Sequence, residues 1–428
     1  MEHKKEIIEN SKVGERYIRI RHPSGCTICL CPMEDYNSVY ALFGVNYGSV
    51  DNILKSDGET NLITIPDGAA HYIEHKMFEN ADGNTFQKFS KTGANANAFT
   101  GFDKTAYLFS CTHKLEENLE ILLDFVQKPY FTDENVEKER SIIEQEIRMY
   151  EDDPAHRVFY NCLDAVYHNN PVRTRIGGTS ESIKKINKEI LYRCYDVFYD
   201  LNNAVISIAG NFDCEKVLQI CDRLLKKNSG HKAERVIPDE PYEVREKTIS
   251  EKLPCSRPIF EIMYKLPPLS GREAAKAYVV YNALFSCCLG ENTGFYSEMY
   301  EQELIDYMNV GVFHGRDFFT AAISGESKNP SIVKDKINGE LKRLKTALPD
   351  KEVFEGIRKK IYGQIIGGLG SVEIRANSMM NSEMAGIGAF DYIDISAELC
   401  YDDIVDALKK LDVDNCSIST VEPVSSGA

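Results

Sequence analysis

Two histidines and a glutamate in the stretch HYIEHKMFEN, residues 71–80, have the spacing of a metal site. On a helix, His71 and His75 would project from one side, since residues four apart differ by about 40° in direction. Imidazole nitrogens so placed can share one zinc ion at about 2.0–2.1 Å. Glu74 would lie at the edge of that face, close enough to reach a water on the ion without binding the metal itself. The pattern therefore predicts metal-assisted cleavage chemistry.

A solvated polar helix is the simpler interpretation of this stretch, because five-residue patterns also arise by chance. The apolar residues around the motif predict a largely buried helix instead: Ala69, Ala70, Tyr72, Ile73, Met77 and Phe78. Burying two imidazoles and a carboxylate without partners would cost several kcal/mol. These polar side chains therefore need partners from elsewhere in the chain.

A candidate third ligand lies in EKERSIIEQEIRMY, residues 137–150, which has the pattern of a regular helix. Glu139 and Glu146 are seven residues apart and so share one helix face, to within about 20°. Ile143 and Ile147 lie alongside, which indicates that this face turns inward. Carboxylates on an inward face need a cation. We expect Glu146 to be a metal ligand and Glu139 to accept a hydrogen bond from a histidine N–H.

An exposed acidic helix is the alternative for the same segment. Lys138 and Arg140 could neutralise its carboxylates without any metal. This alternative accounts better for Glu137 and Glu144 than for Glu146.

The composition limits the classes of protein that fit. A chain of 428 residues exceeds the usual size of one hydrophobic core, so two domains are expected. Its formal net charge of −16 argues against nucleic-acid binding, because no basic stripe offsets it. Apolar runs stay well below the roughly 20 residues of a membrane span. The charged start MEHKKEIIEN shows no secretory signal.

The thirteen cysteines follow no regular framework of spacings, which predicts reduced thiols and a cytoplasmic location. Cys26, Cys29 and Cys31 are close enough in sequence to suggest a metal cluster. No second pair of cysteines or histidines stands beside them, however, and thiols are common in buried strands. We therefore interpret residues 24–32 as a strand.

The predicted elements occur in the same order in both halves of the chain. Each half has a strand, two helices, two strands, several helices and a final strand. Residues 226–256 are polar, charged and contain prolines, as is typical of a linker. We expect an α+β protein with domains over residues 1–225 and 257–428. The second half has one histidine, His314, and no equivalent of the HYIEH motif.

These motifs together resemble the pitrilysin or insulinase type of zinc metallopeptidase, the inverzincins with the H-x-x-E-H order. HYIEHKMF resembles the zinc-binding stretch of that family. ERSIIEQEIRMYEDDP resembles the segment that supplies its third ligand, and GANANAFTGFDKTAYLFS the strand pair between them. The resemblance implies two related domains, each a mostly antiparallel sheet packed with helices, facing each other across a chamber or cleft. It is strongest for the short bacterial members, which work as paired subunits on small peptides, including leader segments.

The resemblance also assigns roles to individual residues. It implies Zn²⁺ as the cofactor and a peptide as the substrate, with Glu74 as the general base. An edge strand would hold the peptide, although a turn is the alternative for its asparagine. The implied ligands are His71, His75 and Glu146, with Glu139 in support and Asn97 and Ala98 on the edge strand.

One departure from the family pattern concerns the second half of the chain. Active members have an arginine there, followed seven residues later by a tyrosine, and the two brace the substrate. The matching segment SEMYEQELIDYMN keeps the tyrosine as Tyr307 but has Tyr300 in the arginine's place. A tyrosine cannot supply the fixed positive charge that helps to hold an oxyanion. Either Tyr300 and Tyr307 act differently here, with Tyr307 as a catalytic residue, or the missing pair comes from another subunit. We expect a heterodimer in which a related subunit supplies the arginine–tyrosine pair, with a homodimer as the alternative.

Two further hypotheses remain at the level of sequence. The chain could be a catalytically silent peptide-binding or scaffold subunit, like the respiratory-complex core subunits of this family. It could also be a metal-independent α+β protein whose motif is coincidental. The intact H-x-x-E-H stretch together with Glu146 argues against the silent subunit. Metal analysis separates the metal-independent protein from the others, because near-stoichiometric zinc would exclude it.

Overall fold

The computed structural model of the protein describes residues 4–55, 62–81, 83–227 and 234–424. The chain forms two compact units, each assembled from three segments. The first unit contains Met1–Ile147, Arg175–Val236 and Gly367–Phe390, and the second contains Arg148–Thr174, Ile237–Ile366 and Asp391–Ala428.

The strands are, in chain order, β1 (Lys5–Asn10), β2 (Glu15–Arg21), β3 (Thr27–Pro32), β4 (Val39–Val45), β5 (Ile53–Lys55), β6 (Ile63–Thr64), β7 (Glu79–Asn80), β8 (Gly83–Asn84), β9 (Asn95–Thr100), β10 (Thr105–Cys111), β11 (Ala204–Gly210), β12 (Glu234–Arg235), β13 (Thr248–Leu253), β14 (Ile259–Lys265), β15 (Tyr307–Gly315), β16 (Phe318–Glu326) and β17 (Cys416–Pro423).

The helices are α1 (Ala69–Met77), α2 (Thr85–Thr92), α3 (Leu115–Phe125), α4 (Asp133–Glu151), α5 (Pro154–Val166), α6 (Ser180–Ile183), α7 (Lys188–Phe198), α8 (Cys214–Leu224), α9 (Gly271–Leu289), α10 (Gly294–Glu301), α11 (Pro330–Ala347), α12 (Lys351–Gly368), α13 (Val372–Met384), α14 (Asp391–Glu398) and α15 (Tyr401–Lys410). Two short 3₁₀ helices, Pro171–Arg173 and Leu201–Asn203, complete the set.

Each unit is built on one large sheet with the same topology. The first sheet has the order β1-β2-β3-β11-β4-β10-β9, and the second has the order β13-β17-β14-β16-β15. In the first, β3 and β11 are the parallel pair, and in the second β13 and β17 are; all other neighbours are antiparallel. Five strands of the first sheet thus repeat the order and directions of the second. This confirms the α+β class with two related, mostly antiparallel halves.

The helices of the first unit cover both faces of its sheet. Alternate residues of β11, Ile206 and Ile208, join the apolar core that also contains α1, since successive strand side chains point to opposite faces. On the other face, Ser207 Oγ donates to Ala376 O of α13 at 2.7 Å. A Cβ on Gly44 of β4 would lie 2.4 Å from Met380 Sδ, so glycine there allows α13 to pack closely.

The helix predicted to carry the histidines is present as α1 and is largely buried, as expected. It begins after Gly68, which has a φ of 91°. A Cβ at this position would lie 2.5 Å from Gly177 O, so a side chain there is excluded. The Tyr72 hydroxyl donates to Val136 O, which ties α1 to α4. The two helices predicted to supply metal ligands are therefore held together.

The sequence prediction missed several elements whose residues are polar. β1 and β13 are the outermost strands of their sheets and expose charged side chains, as edge strands commonly do. Because of this, β13 was included in the predicted linker 226–256. Between β16 and β17, where the sequence predicts several helices, the structure has five, α11 to α15.

The predicted domain boundaries at residues 225 and 257 follow the internal repeat, and they stay a prediction. Residues 228–233 of the predicted linker lie outside the described residues. Within the described part of the chain, no helix combines the length and apolar composition that a membrane span requires. The thirteen cysteines are all free thiols, and Cys29 and Cys31 lie in the buried strand β3, as the sequence predicted.

Candidate metal centre

His71, His75 and Glu146 come together where α1 and α4 meet. Glu146 Oε1 lies 3.7 Å from His71 Nε2, and Glu146 Oε2 lies 3.4 Å from His75 Nε2. One ligand atom from each residue lies within 4.8 Å of the others. The described residues contain no other group of histidines, cysteines and carboxylates that meets this criterion.

The donor set fits a zinc ion. Ligand atoms bound tetrahedrally at 2.0–2.1 Å are about 3.3 Å apart, close to the spacings between Glu146 and the two imidazoles. The three side chains are partly buried, so the cluster is neither sealed off nor an exposed acidic surface. Two neutral imidazoles and one carboxylate would leave a divalent ion a net positive charge and an open position for a water or substrate.

Glu139 fixes the orientation of one imidazole. His75 Nδ1 lies 3.0 Å from Glu139 Oε1, so a proton on Nδ1 is donated to the carboxylate and Nε2 is left to bind a metal. The other carboxylate oxygen, Oε2, lies 3.6 Å from the Lys76 ammonium. Lys76 has no exposed surface and also donates to Glu79. Glu139 is therefore held between two consecutive residues of α1.

Glu74 interacts electrostatically with His75 and Glu146 and has its own hydrogen-bond donor. Thr100 Oγ1, at the end of β9, donates to Glu74 Oε2 at 2.9 Å. Burial raises the pKa of the Glu74 carboxyl above its usual value. A carboxylate with a raised pKa is better suited to accept and return a proton near neutral pH.

The two imidazoles have pKa values displaced in opposite directions. Burial, followed by repulsion from His75, lowers the pKa of His71 to about 4. Burial also acts to lower the pKa of His75, but hydrogen bonds to Glu139 and Glu146 outweigh it and raise that pKa to about 10. The hydrogen bond with His75 holds the pKa of Glu146 below its usual value. In the metal-free site at neutral pH, His71 is thus neutral, whereas His75 is positively charged, with a proton on each ring nitrogen.

Zinc binding should therefore release a proton from His75. Protons compete with the metal for Nε2, so the apparent zinc affinity should rise about tenfold per pH unit between about pH 6 and pH 8. His71 and Glu146 should release no proton when zinc binds, because His71 is already neutral and Glu146 is already ionised in this pH range. Calorimetric titration in buffers of different ionisation enthalpy should show about one proton released per zinc near pH 7. An affinity independent of pH would contradict this charge assignment.

β9, which carries Asn97 and Ala98, is the last strand of its sheet. Gly101 N–H donates to Lys104 O at 2.7 Å where the chain turns into β10. Because bonded and non-bonded pairs alternate along antiparallel strands, the backbone groups of Thr100 and Ala98 point away from β10. In agreement, Ala98 N–H donates to Asn97 Oδ1 at 2.8 Å instead of to β10. The edge has the geometry to pair with an extended peptide.

Family models match both parts of the chain. The model described as Insulinase (Peptidase family M16) matches residues 65–180, and the model described as Peptidase M16 inactive domain matches residues 185–361. The uncharacterized zinc protease YmfH of Bacillus subtilis (strain 168) is 35% identical over 429 residues, which are 98% of this chain and 99% of that protein. The chain belongs to peptidase family M16.

A solved M16-like peptidase structure from Alicyclobacillus acidocaldarius has a TM-score of 0.90 at 30% identity, covering 99% of each chain. Cytochrome b-c1 complex subunit 1 of Bos taurus is 30% identical over 178 residues, which are 40% of this chain and 37% of that protein. The M16 relatives thus confirm the resemblance and the two-domain fold inferred from sequence. They include both proteins named as zinc proteases and a subunit of the cytochrome b-c1 complex, so membership of M16 alone does not determine activity.

The second unit carries Tyr300, which stands where the resemblance places an arginine, and Tyr307, which matches the tyrosine of that pattern. Tyr300 lies in α10 and is 60% exposed, whereas Tyr307 begins β15 and is 40% exposed. A catalytic role for Tyr307 stays a prediction.

Two residues that support the candidate site of this M16 protein, Lys76 and Thr100, were not predicted from the sequence. Lys76 follows the second histidine and is three residues before Glu79, a spacing that on helices commonly marks an exposed ion pair. Thr100 is 26 residues from Glu74, and threonine is a common strand residue. Neither local pattern indicates contact with the metal centre.

Proposed function

We propose that the chain is a zinc metallopeptidase that hydrolyses short unfolded peptides. The observation that carries this proposal is the convergence of His71, His75 and Glu146. Glu74, on the same helix as the histidines, is close enough to interact electrostatically with His75 and Glu146. The peptide's backbone would pair with β9 at Ala98. Backbone pairing does not depend on the side chains of the peptide, so it suits substrates of varied sequence. Maturation or clearance of small peptides, including leader segments, is the physiological role that we infer from the resemblance.

His71, His75 and Glu146 would hold the zinc, with Glu139 orienting His75. When bound, zinc would act as a Lewis acid that polarises a water and the peptide carbonyl. Glu74 takes the proton of the attacking water at Oε1, because Oε2 accepts the hydrogen bond of Thr100. The proton then passes from Glu74 to the leaving amine nitrogen, which completes the hydrolysis and restores the carboxylate.

We further propose that the active enzyme is a heterodimer with a related M16 subunit. Tyr300 cannot supply the fixed charge of the family arginine, so a partner would provide the arginine–tyrosine pair. Tyr307 would contact the substrate only if it acts without that arginine. A homodimer remains the alternative assembly, and the cytoplasmic location inferred from composition stays a prediction.

A catalytically silent peptide-binding or scaffold subunit is the second candidate function. The relative named as a cytochrome b-c1 complex subunit and the absence of the arginine favour it. Glu74 argues against it, because a scaffold has no need of a partly buried carboxylate that interacts with His75 and Glu146.

Peptide hydrolysis tests the proposal directly. The zinc-loaded chain should cut a mixture of short unstructured synthetic peptides, as detected by mass spectrometry. A zinc chelator should abolish the cleavage and added zinc should restore it. A silent subunit would leave every peptide intact under all conditions.

The same assay tests the pairing. A related M16 subunit that lacks H-x-x-E-H but carries the arginine–tyrosine pair should accelerate cleavage strongly. If the chain alone cleaves at the rate of the pair, the heterodimer is not required.

A further inference from the structure

Thr100 connects two parts of the candidate site that are otherwise separate. It is the last residue of β9, the edge strand, and its hydroxyl donates to Glu74 Oε2 at 2.9 Å. Among the described residues, this hydroxyl is the one hydrogen-bond donor to the Glu74 carboxylate. The strand that would hold the peptide therefore also contacts the group that would move the proton.

The alternation of β9 explains why Thr100 can reach α1. Asn95, Asn97 and Phe99 are exposed, whereas Ala96, Ala98 and Thr100 are partly buried on the opposite face of the strand. The two alanines pack against the apolar core that contains α1. Their small side chains let α1 lie close to the strand, and the next residue on that face, Thr100, meets Glu74.

We propose that Thr100 is a positioning residue that holds the Glu74 carboxylate in register with the peptide-binding edge. This inference rests on the proposed peptidase function. Ala98 and Thr100 are two residues apart on one strand, so their separation is fixed at about 6.8 Å. A peptide paired with the backbone at Ala98 is thereby held at a set distance from the base. One strand thus places both the scissile bond and the proton acceptor.

The hydroxyl matters because a glutamate side chain has three rotatable bonds. A base displaced by about 1 Å can lose on the order of 10²-fold in rate. The hydrogen bond at Oε2 restricts the rotation of the carboxylate and leaves Oε1 free to face the water. Among the described residues, the Thr100 hydroxyl bonds to Glu74 and to none of the three proposed metal ligands, so it should affect the base without affecting the metal.

The test compares Thr100→Val with Thr100→Ser. Valine keeps the shape of threonine without the hydroxyl, and serine keeps the hydroxyl. Steady-state kinetics should use the peptide that the wild-type enzyme, alone or paired, cuts fastest from the mixture. T100V should lower kcat by about 10- to 100-fold with KM changed by less than about twofold, because the backbone that holds the peptide is unaltered. T100S should restore kcat to within about threefold of wild type.

Thr105→Val is the matched control, since Thr105 pairs with Thr100 across the hairpin and its hydroxyl donates to Tyr47 O. T105V removes a buried strand hydroxyl without touching Glu74, so the folded fraction should keep its kcat. Zinc content should equal that of wild type in all three variants. In the Glu74→Gln background, T100V should lower the residual rate no further, because the group it positions is already gone.

The possible outcomes distinguish an error in the role of Thr100 from an error in the proposed peptidase function. If wild type cleaves peptides, E74Q does not, and T100V matches wild type, the role of Thr100 is wrong and the proposed function stands. If T100V and T105V lower kcat equally, the hydroxyl acts through the fold and the positioning role is wrong. If zinc-loaded wild type cleaves no peptide, either alone or together with the related M16 subunit, both proposals are wrong.

Discussion

Replacing Glu74 with glutamine should slow peptide hydrolysis by about 10²- to 10⁴-fold, the usual contribution of a general base. Glutamine has nearly the same shape, and its amide oxygen can still accept the hydrogen bond from Thr100. An amide cannot take a proton from water at neutral pH. E74Q should also retain its zinc, because the three proposed ligands are unchanged. Steady-state hydrolysis and metal analysis of the same preparation measure both properties.

Glu117→Gln provides the control for this experiment. Glu117 lies on α3, where its exposed carboxylate pairs with Lys114, and such pairs contribute little. E117Q should therefore match wild type in both rate and zinc content. Full activity of E74Q would reject the mechanism. Loss of zinc together with activity would mean that Glu74 holds the metal and would contradict its role as a base.

Replacing Glu146 with glutamine should weaken zinc binding by more than about 100-fold. Removing a residue that only orients a ligand, such as Glu139, should weaken zinc binding by roughly 10- to 100-fold. The effect of replacing Glu146 is larger because a charged ligand of the metal itself is lost. Glu146 lies within 3.7 Å of both imidazole Nε2 atoms. The hydrogen bonds of Tyr72 and Glu139 that also join α1 to α4 are left intact in the variant. Competition titration against a chromogenic chelator gives the two affinities.

Thermal unfolding tests independently whether Glu146 binds zinc. Zinc at 100 times its dissociation constant stabilises a folded protein by about 2.7 kcal/mol, so wild type should melt at a higher temperature with zinc than without. E146Q should lose most of this shift. Glu137→Gln, on the exposed side of α4 and paired with Arg140, should keep it. Equal shifts in E146Q and wild type would exclude Glu146 as a ligand.

The sequence predicted the helices α1 and α4 well because their signals are local. The spacing of His71, Glu74 and His75 defines one face of α1, and Glu139 and Glu146 share one face of α4. Both faces depend only on helical periodicity, which a single sequence displays. Pairing the two helices required one physical argument, that inward-facing carboxylates need a cation.

The contacts that support the site could not be predicted, because they depend on tertiary packing. Lys76 lies 63 residues before Glu139 in the chain, and its burial follows from how α1 and α4 meet. Thr100 reaches Glu74 only because β9 passes beside α1. β1 and β13 escaped prediction for a related reason, since outer strands expose charged residues that resemble those of linkers.

Crystals of the full chain grown with zinc would test the central claim most directly, by anomalous scattering measured at the zinc absorption edge. The account predicts one strong peak in the first unit, about 2.0–2.2 Å from Nε2 of both histidines and from a Glu146 oxygen. Glu74 should lie near this peak but beyond bonding distance. A structure with zinc absent from these three side chains, or with Glu146 turned away from the imidazoles, would contradict the account.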